Sequence, residues 1–168
     1  MDILHVTHEF PPLFDENCTR LVLGSIPSPS SREQGFYYAH PQNRFWKVMA
    51  AVLQEPLPTT IEEKRRLMLS HHIALWDALE ACDIRGASDS SVRNPVPTDI
   101  PWLLRQAPIR AIYTAGAAAD RYYRLLNQAR TGMPAIRLPS TSPANCAVSL
   151  ERLKEAYRIL ADEPLKNT

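Results

Sequence analysis

Four short apolar runs, at residues 21–26, 73–77, 109–113 and 135–138, alternate along this chain with stretches of helical period, and few folds accept that alternation. The first, Leu21-Val22-Leu23-Gly24-Ser25-Ile26, is stopped by Pro27 and has the character of a strand buried on both faces. Residues 73–77 read the same way, with a helical turn as the alternative. Between the runs, Phe45, Trp46, Met49, Ala50 and Leu53 recur at helical spacing behind Asn43, a good N-cap. Thr60 and Glu63 form a T-x-x-E capping box that opens a helix reaching about His71. Further helices are expected at 99–106, 116–129 and 149–161. Strands alternating with helices imply a parallel sheet covered on both faces. The expected architecture is therefore α/β, a three-layer α/β/α sandwich around a short, mostly parallel four-stranded sheet. Ligands bind such sheets at the carboxyl ends of the strands, so the loops that begin at Pro27 and Pro139 should face one site.

The remaining segments read as irregular. Residues 1–18, with Pro11 and Pro12, form a lead-in, and residues 83–97 a polar loop. Residues 27–42 hold three prolines and are too broken for a helix, although their aromatic end, Phe36-Tyr37-Tyr38, argues for order. A chain of 168 residues with 45% hydrophobic content suits one domain. No apolar run approaches the roughly 18 residues of a membrane span, and the opening MDILHVTHEF lacks a signal-peptide pattern, so an intracellular protein is expected. Cys18, Cys82 and Cys146 are odd in number and widely spaced, which suggests neither a disulfide framework nor a metal-binding pair. The net charge of +1 is low for a nucleic-acid binder, so composition alone does not suggest one.

Two motifs carry more. The segment GFYYAHPQNRFWKV resembles the first motif of the mismatch-specific uracil- and thymine-DNA glycosylases, and Gly24-Ser25-Ile26-Pro27-Ser28 resembles the G-x-x-P-G/S element after strand one in the same superfamily. Near the other end, LPSTSPANCAVSLERLKEAYRIL resembles that superfamily's second motif, a strand, a Ser/Pro loop and a final helix. The chain is thus similar to the uracil-DNA glycosylase superfamily over residues 21–160, and closest to its hypoxanthine-DNA glycosylase branch. In relatives a strand ending in Asn-Gly is usual where this chain has Thr114 and Ala115, so a base contact by that Asn is not carried over. Three scattered cysteines exclude the branches that hold an iron–sulfur cluster, which needs four. No metal or cofactor is expected.

The resemblance implies an enzyme that flips a deaminated base out of DNA and hydrolyses its glycosidic bond. The mismatch enzymes position the attacking water with an Asn where this chain has Ile26, a side chain that makes no hydrogen bond. In the hypoxanthine branch the Asn of the H-P-x-N segment is catalytic, and here that residue is Asn43, which is otherwise a plain helix cap. Tyr38 aligns with the aromatic that stacks on the flipped base, its alternative being ordinary core. His40 is either a general acid or part of an H-P turn, with the turn favoured. Backbone amides of Gly24, Ser25, Ile26, Pro27 and Ser28, so far as they carry N–H groups, face the base edge, while the Ser28 side chain can instead cap the turn. Ser140, Thr141 and Ser142 are candidate phosphate contacts, and Pro143, Ala144 and Asn145 a candidate minor-groove wedge, against an ordinary Ser/Pro loop.

Lys47 is the one lysine in the first motif and turns away by helical phase, so an amine nucleophile is not expected. The implied substrate is hypoxanthine in DNA, with uracil or xanthine as alternatives, acted on by a monomer. A non-catalytic reader of damaged DNA is the competing reading.

Overall fold

The computed structural model of the chain describes residues 2–164. In chain order its elements are β1 (Ile3–Thr7), β2 (Arg20–Gly24), α1 (Pro29–Gln34), α2 (Phe45–Val52), α3 (Ile61–Ser70), β3 (Ile73–Asp77), β4 (Leu79–Arg85), β5 (Arg93–Pro97), α4 (Ile100–Gln106), β6 (Ala111–Ala115), α5 (Ala117–Leu126), α6 (Gln128–Thr131), β7 (Ala135–Leu138) and α7 (Leu150–Tyr157). Short 3-10 turns lie at Asp89–Ser91, Pro143–Asn145 and Arg158–Ala161.

The central sheet has the order β3-β2-β6-β7 and is parallel throughout. Alternate residues of its strands feed opposite cores, as the twofold period of a strand requires. On one face Val22, Leu75 and Tyr113 pack with Phe45, Met49, Leu153 and Tyr157 of α2 and α7. On the other, Leu21, Leu23, Ala74 and Ile112 pack with Ile100, Leu103 and Tyr123 of α4 and α5. This is the expected three-layer α/β/α arrangement. The capping box also forms: Thr60 Oγ1 accepts from the Glu63 backbone, and the Glu63 carboxylate accepts from the Thr60 backbone. No helix among the described residues is long and apolar enough to cross a membrane.

Three expected loops contain regular structure. Residues 1–18 hold β1, which pairs antiparallel with β4, and Leu13, which bridges to Leu75. Only Val6 of β1 is buried, and an edge strand exposed on most of its length leaves no apolar alternation to read. The polar stretch 83–97 contains the end of β4 and all of β5, giving a second sheet of order β1-β4-β5. Glu80, Asp83 and Arg85, with register shifts between Leu79 and Asp83 that break the alternation, mask a half-buried strand in which Leu79, Cys82 and Ile84 face inward. Residues 27–42 contain α1, which tolerates Pro29 because proline at the first helical position forfeits an N–H that has no partner anyway. Ser28 caps it by accepting from the Ser31 backbone at 3.2 Å.

The start of β2 is clamped to the far end of the chain. The Arg20 guanidinium, 3% exposed, donates to the carbonyls of Leu160, His71 and Asp162 and pairs with Glu163 at 3.3 Å. Arg20→Met should strand these acceptors and cost about 2–3 kcal/mol of stability. Urea unfolding reads this directly, and an unmoved midpoint would show that the clamp contributes nothing.

Candidate active site

A cavity of about 550 Å³ opens at the carboxyl ends of the parallel strands. Gly24, at the end of β2, Asp77, at the end of β3, and the loops after β2 and β7 meet there, as the topology of such sheets dictates. Its lining includes Gly24, Ser25, Ile26, Pro27, Ser28, Tyr38 and Asn43 from the first motif, and Ser140, Thr141, Ser142, Ala144 and Asn145 from the second. Segments about a hundred residues apart thus border one space, with Arg137 exposed at its edge.

His40 and Pro143 are not among the lining residues. His40 Nδ1 accepts the backbone N–H of Gln42 at 3.1 Å, and its carbonyl accepts that of Asn43 at 2.9 Å, so the residue builds the turn. Pro143 opens the 3-10 turn that Ser142 caps. Ile26 packs beside Val6, Leu79, Ile84 and Tyr122. The second sheet gives it an apolar nest, which accounts for a residue without hydrogen bonds at that place.

Asn43 lies one residue before the N-cap of α2, which is Arg44. Its Oδ1 accepts the backbone N–H of Phe45 at 2.9 Å and the hydroxyl of Thr141 at 2.8 Å. A backbone N–H can only donate, which fixes the orientation of the amide. Both lone pairs of Oδ1 are therefore engaged, and Nδ2 is left with no acceptor among the described residues. The side chain thus caps the helix through Oδ1 while it lines the cavity.

Arg44 adds a second link between the motifs. Its guanidinium donates to the carbonyls of Val148 at 2.5 Å and Asn145 at 3.0 Å, and its backbone N–H to that of Thr141 at 3.1 Å. Tyr157 of α7 donates to the Pro139 carbonyl at 2.7 Å. The loop 139–148 is thereby held in place beside the cavity.

Tyr37 and Tyr38 take different places. Tyr37 is core, 3% exposed, its hydroxyl donating to the Pro11 carbonyl at 3.0 Å. Tyr38 stands in the left-handed region at φ 53° and stacks on Phe45 with ring centroids 3.9 Å apart, on the cavity wall. Its hydroxyl is buried without a hydrogen-bond partner. Burial, and then the neighbouring Asp77 carboxylate, push this phenol well above its ordinary range, so it remains a neutral O–H group.

Asp77 and His8 were missed by sequence reasoning. Asp77 lines the cavity, and its Oδ2 lies 2.7 Å from His8 Nε2, with both side chains under a tenth exposed. His8 follows β1, its backbone N–H reaching the Glu80 carbonyl at 2.8 Å, and its ring sits against Phe10 and Tyr37. An acidic residue closing an otherwise apolar strand was the available signal for Asp77. Nothing local marked His8, because the strand that delivers it was unread. Asp89, from the second sheet's loop, also borders the cavity. Burial raises its carboxyl above the ordinary value, against a hydrogen bond from Ser25 Oγ at 3.3 Å. Among the described residues no group of His, Cys, Asp and Glu is arranged to hold a metal ion.

Comparison with known proteins places this geometry. Residues 11–162 match the family model of the uracil DNA glycosylase superfamily. A hypoxanthine DNA glycosylase of Methanosarcina acetivorans is 35% identical over 148 residues, covering 87% of this chain and 92% of the relative. A hypoxanthine DNA glycosylase of Methanosarcina barkeri is 30% identical over 119 residues, covering 70% and 75%. The solution NMR structure of a Methanosarcina acetivorans protein, described as a uracil DNA glycosylase, superposes with a TM-score of 0.76 at 30% identity, covering 91% of this chain and 97% of that one.

Proposed function

Because this chain belongs to the uracil-DNA glycosylase superfamily, we propose that it excises a deaminated base, hypoxanthine first, from DNA by base flipping and hydrolysis of the N-glycosidic bond. The observation that carries the reading is the joint cavity, in which Asn43 of the first motif accepts the hydroxyl of Thr141 of the second. A base held there is gripped by both motifs at once.

Cleavage leaves negative charge on the departing base and positive charge on the sugar. Asn43 acts through Nδ2, the part of its amide still free, as a donor to the leaving base or to the attacking water. Tyr38 supplies the aromatic wall, Gly24 to Ser28 border the base, Ser140, Thr141 and Ser142 contact phosphates, and Pro143, Ala144 and Asn145, in the loop held by Arg44, enter the space the base vacates. Water is the nucleophile, since Lys47 is exposed on α2 and outside the cavity lining. The reading takes the chain as a single-domain monomer acting inside the cell, where its DNA substrate is.

The test uses duplexes holding one inosine, uracil or xanthosine, followed by alkali to cleave abasic sites. Scission is expected on the inosine strand first. Binding without scission on every duplex would make the protein a reader of damage rather than an enzyme.

A further inference from the structure

We propose that Asp89, carried by the loop between β4 and β5, takes the proton of the attacking water, as the one cavity carboxylate among the described residues that neither a cation nor an imidazole holds. The inference rests on the reading of this chain as a DNA glycosylase and supplies the proton acceptor that Asn43 does not.

Water must lose a proton as its oxygen bonds to the sugar, so the site needs an acceptor as well as the donor on Asn43. Asn43 cannot be both, because the Phe45 backbone and the Thr141 hydroxyl engage both lone pairs of Oδ1. Ile26 has no hydrogen-bonding group, and the Asp77 carboxylate lies 2.7 Å from His8. Asp89 borders the same cavity and accepts one side-chain hydrogen bond, from Ser25 Oγ at 3.3 Å. It belongs to no ion pair among the described residues. The Ser25 carbonyl accepts the Leu79 N–H at 3.0 Å, so the first motif is fastened at Ser25 to the second sheet by its backbone and to Asp89 by its side chain.

The loop holds Asp89 without using its carboxylate. Ser91 Oγ accepts the Arg85 N–H at 2.8 Å and donates to the Ser88 carbonyl at 2.7 Å, and the Asp89 carbonyl accepts the Val92 N–H at 3.3 Å. A group fixed in advance needs no reorganisation at the moment of reaction. The titratable groups around this corner are Cys82 of β4 and Tyr122 of α5, both raised by burial and therefore uncharged, with Arg32 of α1 near Cys82 and with Arg93 of β5 and Arg121 of α5 near Tyr122. Burial, opposed by the Ser25 hydrogen bond, leaves the Asp89 carboxyl above its ordinary value, which makes its anion a stronger acceptor. In the reaction the water oxygen bonds to C1′ while the bond from C1′ to the purine breaks and its electron pair leaves with the base. One water proton passes to Asp89, and the other stays on the new hydroxyl of the abasic sugar. Asp89 is exposed, so solvent removes the proton, and solvent returns one to the departed base.

Single-turnover excision from an inosine duplex is measured against pH for the wild-type protein, Asp89→Asn and Asp89→Glu, with melting temperature and DNA affinity alongside. Asp89→Asn keeps an oxygen for Ser25 and loses the proton acceptor. At neutral pH it should be slower by about 10²-fold or more, at native melting temperature and affinity. Wild type should slow as pH falls through the carboxyl range, because a protonated Asp89 accepts nothing, and Asp89→Asn should lack this acid limb. Asp89→Glu, which restores a carboxylate on a longer arm, should keep it. A merely structural role would lower the rate alike at every pH and leave the limb in place. An Asp89→Asn protein that excises within about threefold of wild type, or that retains the acid limb, would overturn the proposal. Base release by wild type matched by Asp89→Asn fails this proposal alone, whereas no release by wild type fails the glycosylase reading and the proposal with it.

Discussion

Asn43→Asp is expected to lower excision of hypoxanthine by about 10²–10³-fold, as severely as Asn43→Ala, the range seen when one preorganised donor to developing charge is removed. The expectation follows from which atoms of Asn43 are in use. Oδ1 is engaged by the Phe45 backbone and the Thr141 hydroxyl, so the amide enters the chemistry as a donor. Aspartate keeps both accepted hydrogen bonds and deletes the donor, while alanine deletes all three. The alanine variant should also lose about 1 kcal/mol of stability with the bond to the first helical N–H, and the aspartate variant should not. Single-turnover rates on an inosine duplex, with thermal melts and DNA affinities alongside, check each part. An aspartate variant as fast as wild type would mean that Asn43 works by accepting a proton or a water hydrogen, contrary to the geometry.

Gly24→Ala should cost about 10²-fold in excision and about 1–3 kcal/mol of stability. Gly24 needs no unusual backbone angle; it is required because a methyl group there would collide with Asp77 Oδ1, which His8 prevents from turning aside. The added carbon also stands 3.5 Å from the Tyr38 hydroxyl and so narrows the cavity that the proposed reaction uses. Excision kinetics with a urea titration separate the two effects. Full activity in Gly24→Ala would show that this wall of the cavity does not meet the base.

The parallel sheet and its helices were legible because burial on both faces writes continuous apolar runs, and because helix starts carry chemical marks such as Thr60 with Glu63 and the Asp99 and Ser149 caps. The antiparallel sheet was not. β1 is an edge strand with one buried residue, and in β4 charges and register shifts break the alternation so that it reads as loop. That omission carried over to the site. The motif residues lie next to each other in sequence and their shared cavity followed from topology, but His8 reaches Asp77 only through the pairing of β1 with β4, a contact between segments some seventy residues apart. The nest that receives Ile26 comes from the same sheet. The amide orientation of Asn43 was likewise beyond a sequence reading, since it depends on Thr141 arriving from the other motif.

The measurement that bears most directly on the central claim is the product of one turnover on a duplex with a single deoxyinosine, assayed for free base and, in parallel, for borohydride-trapped protein–DNA adduct. Free hypoxanthine and an unbroken strand carrying an abasic site, with no trapped adduct and no release by Asn43→Ala, is the predicted result. Tight binding of the inosine duplex with no free base, or an adduct trapped on the protein, would contradict it.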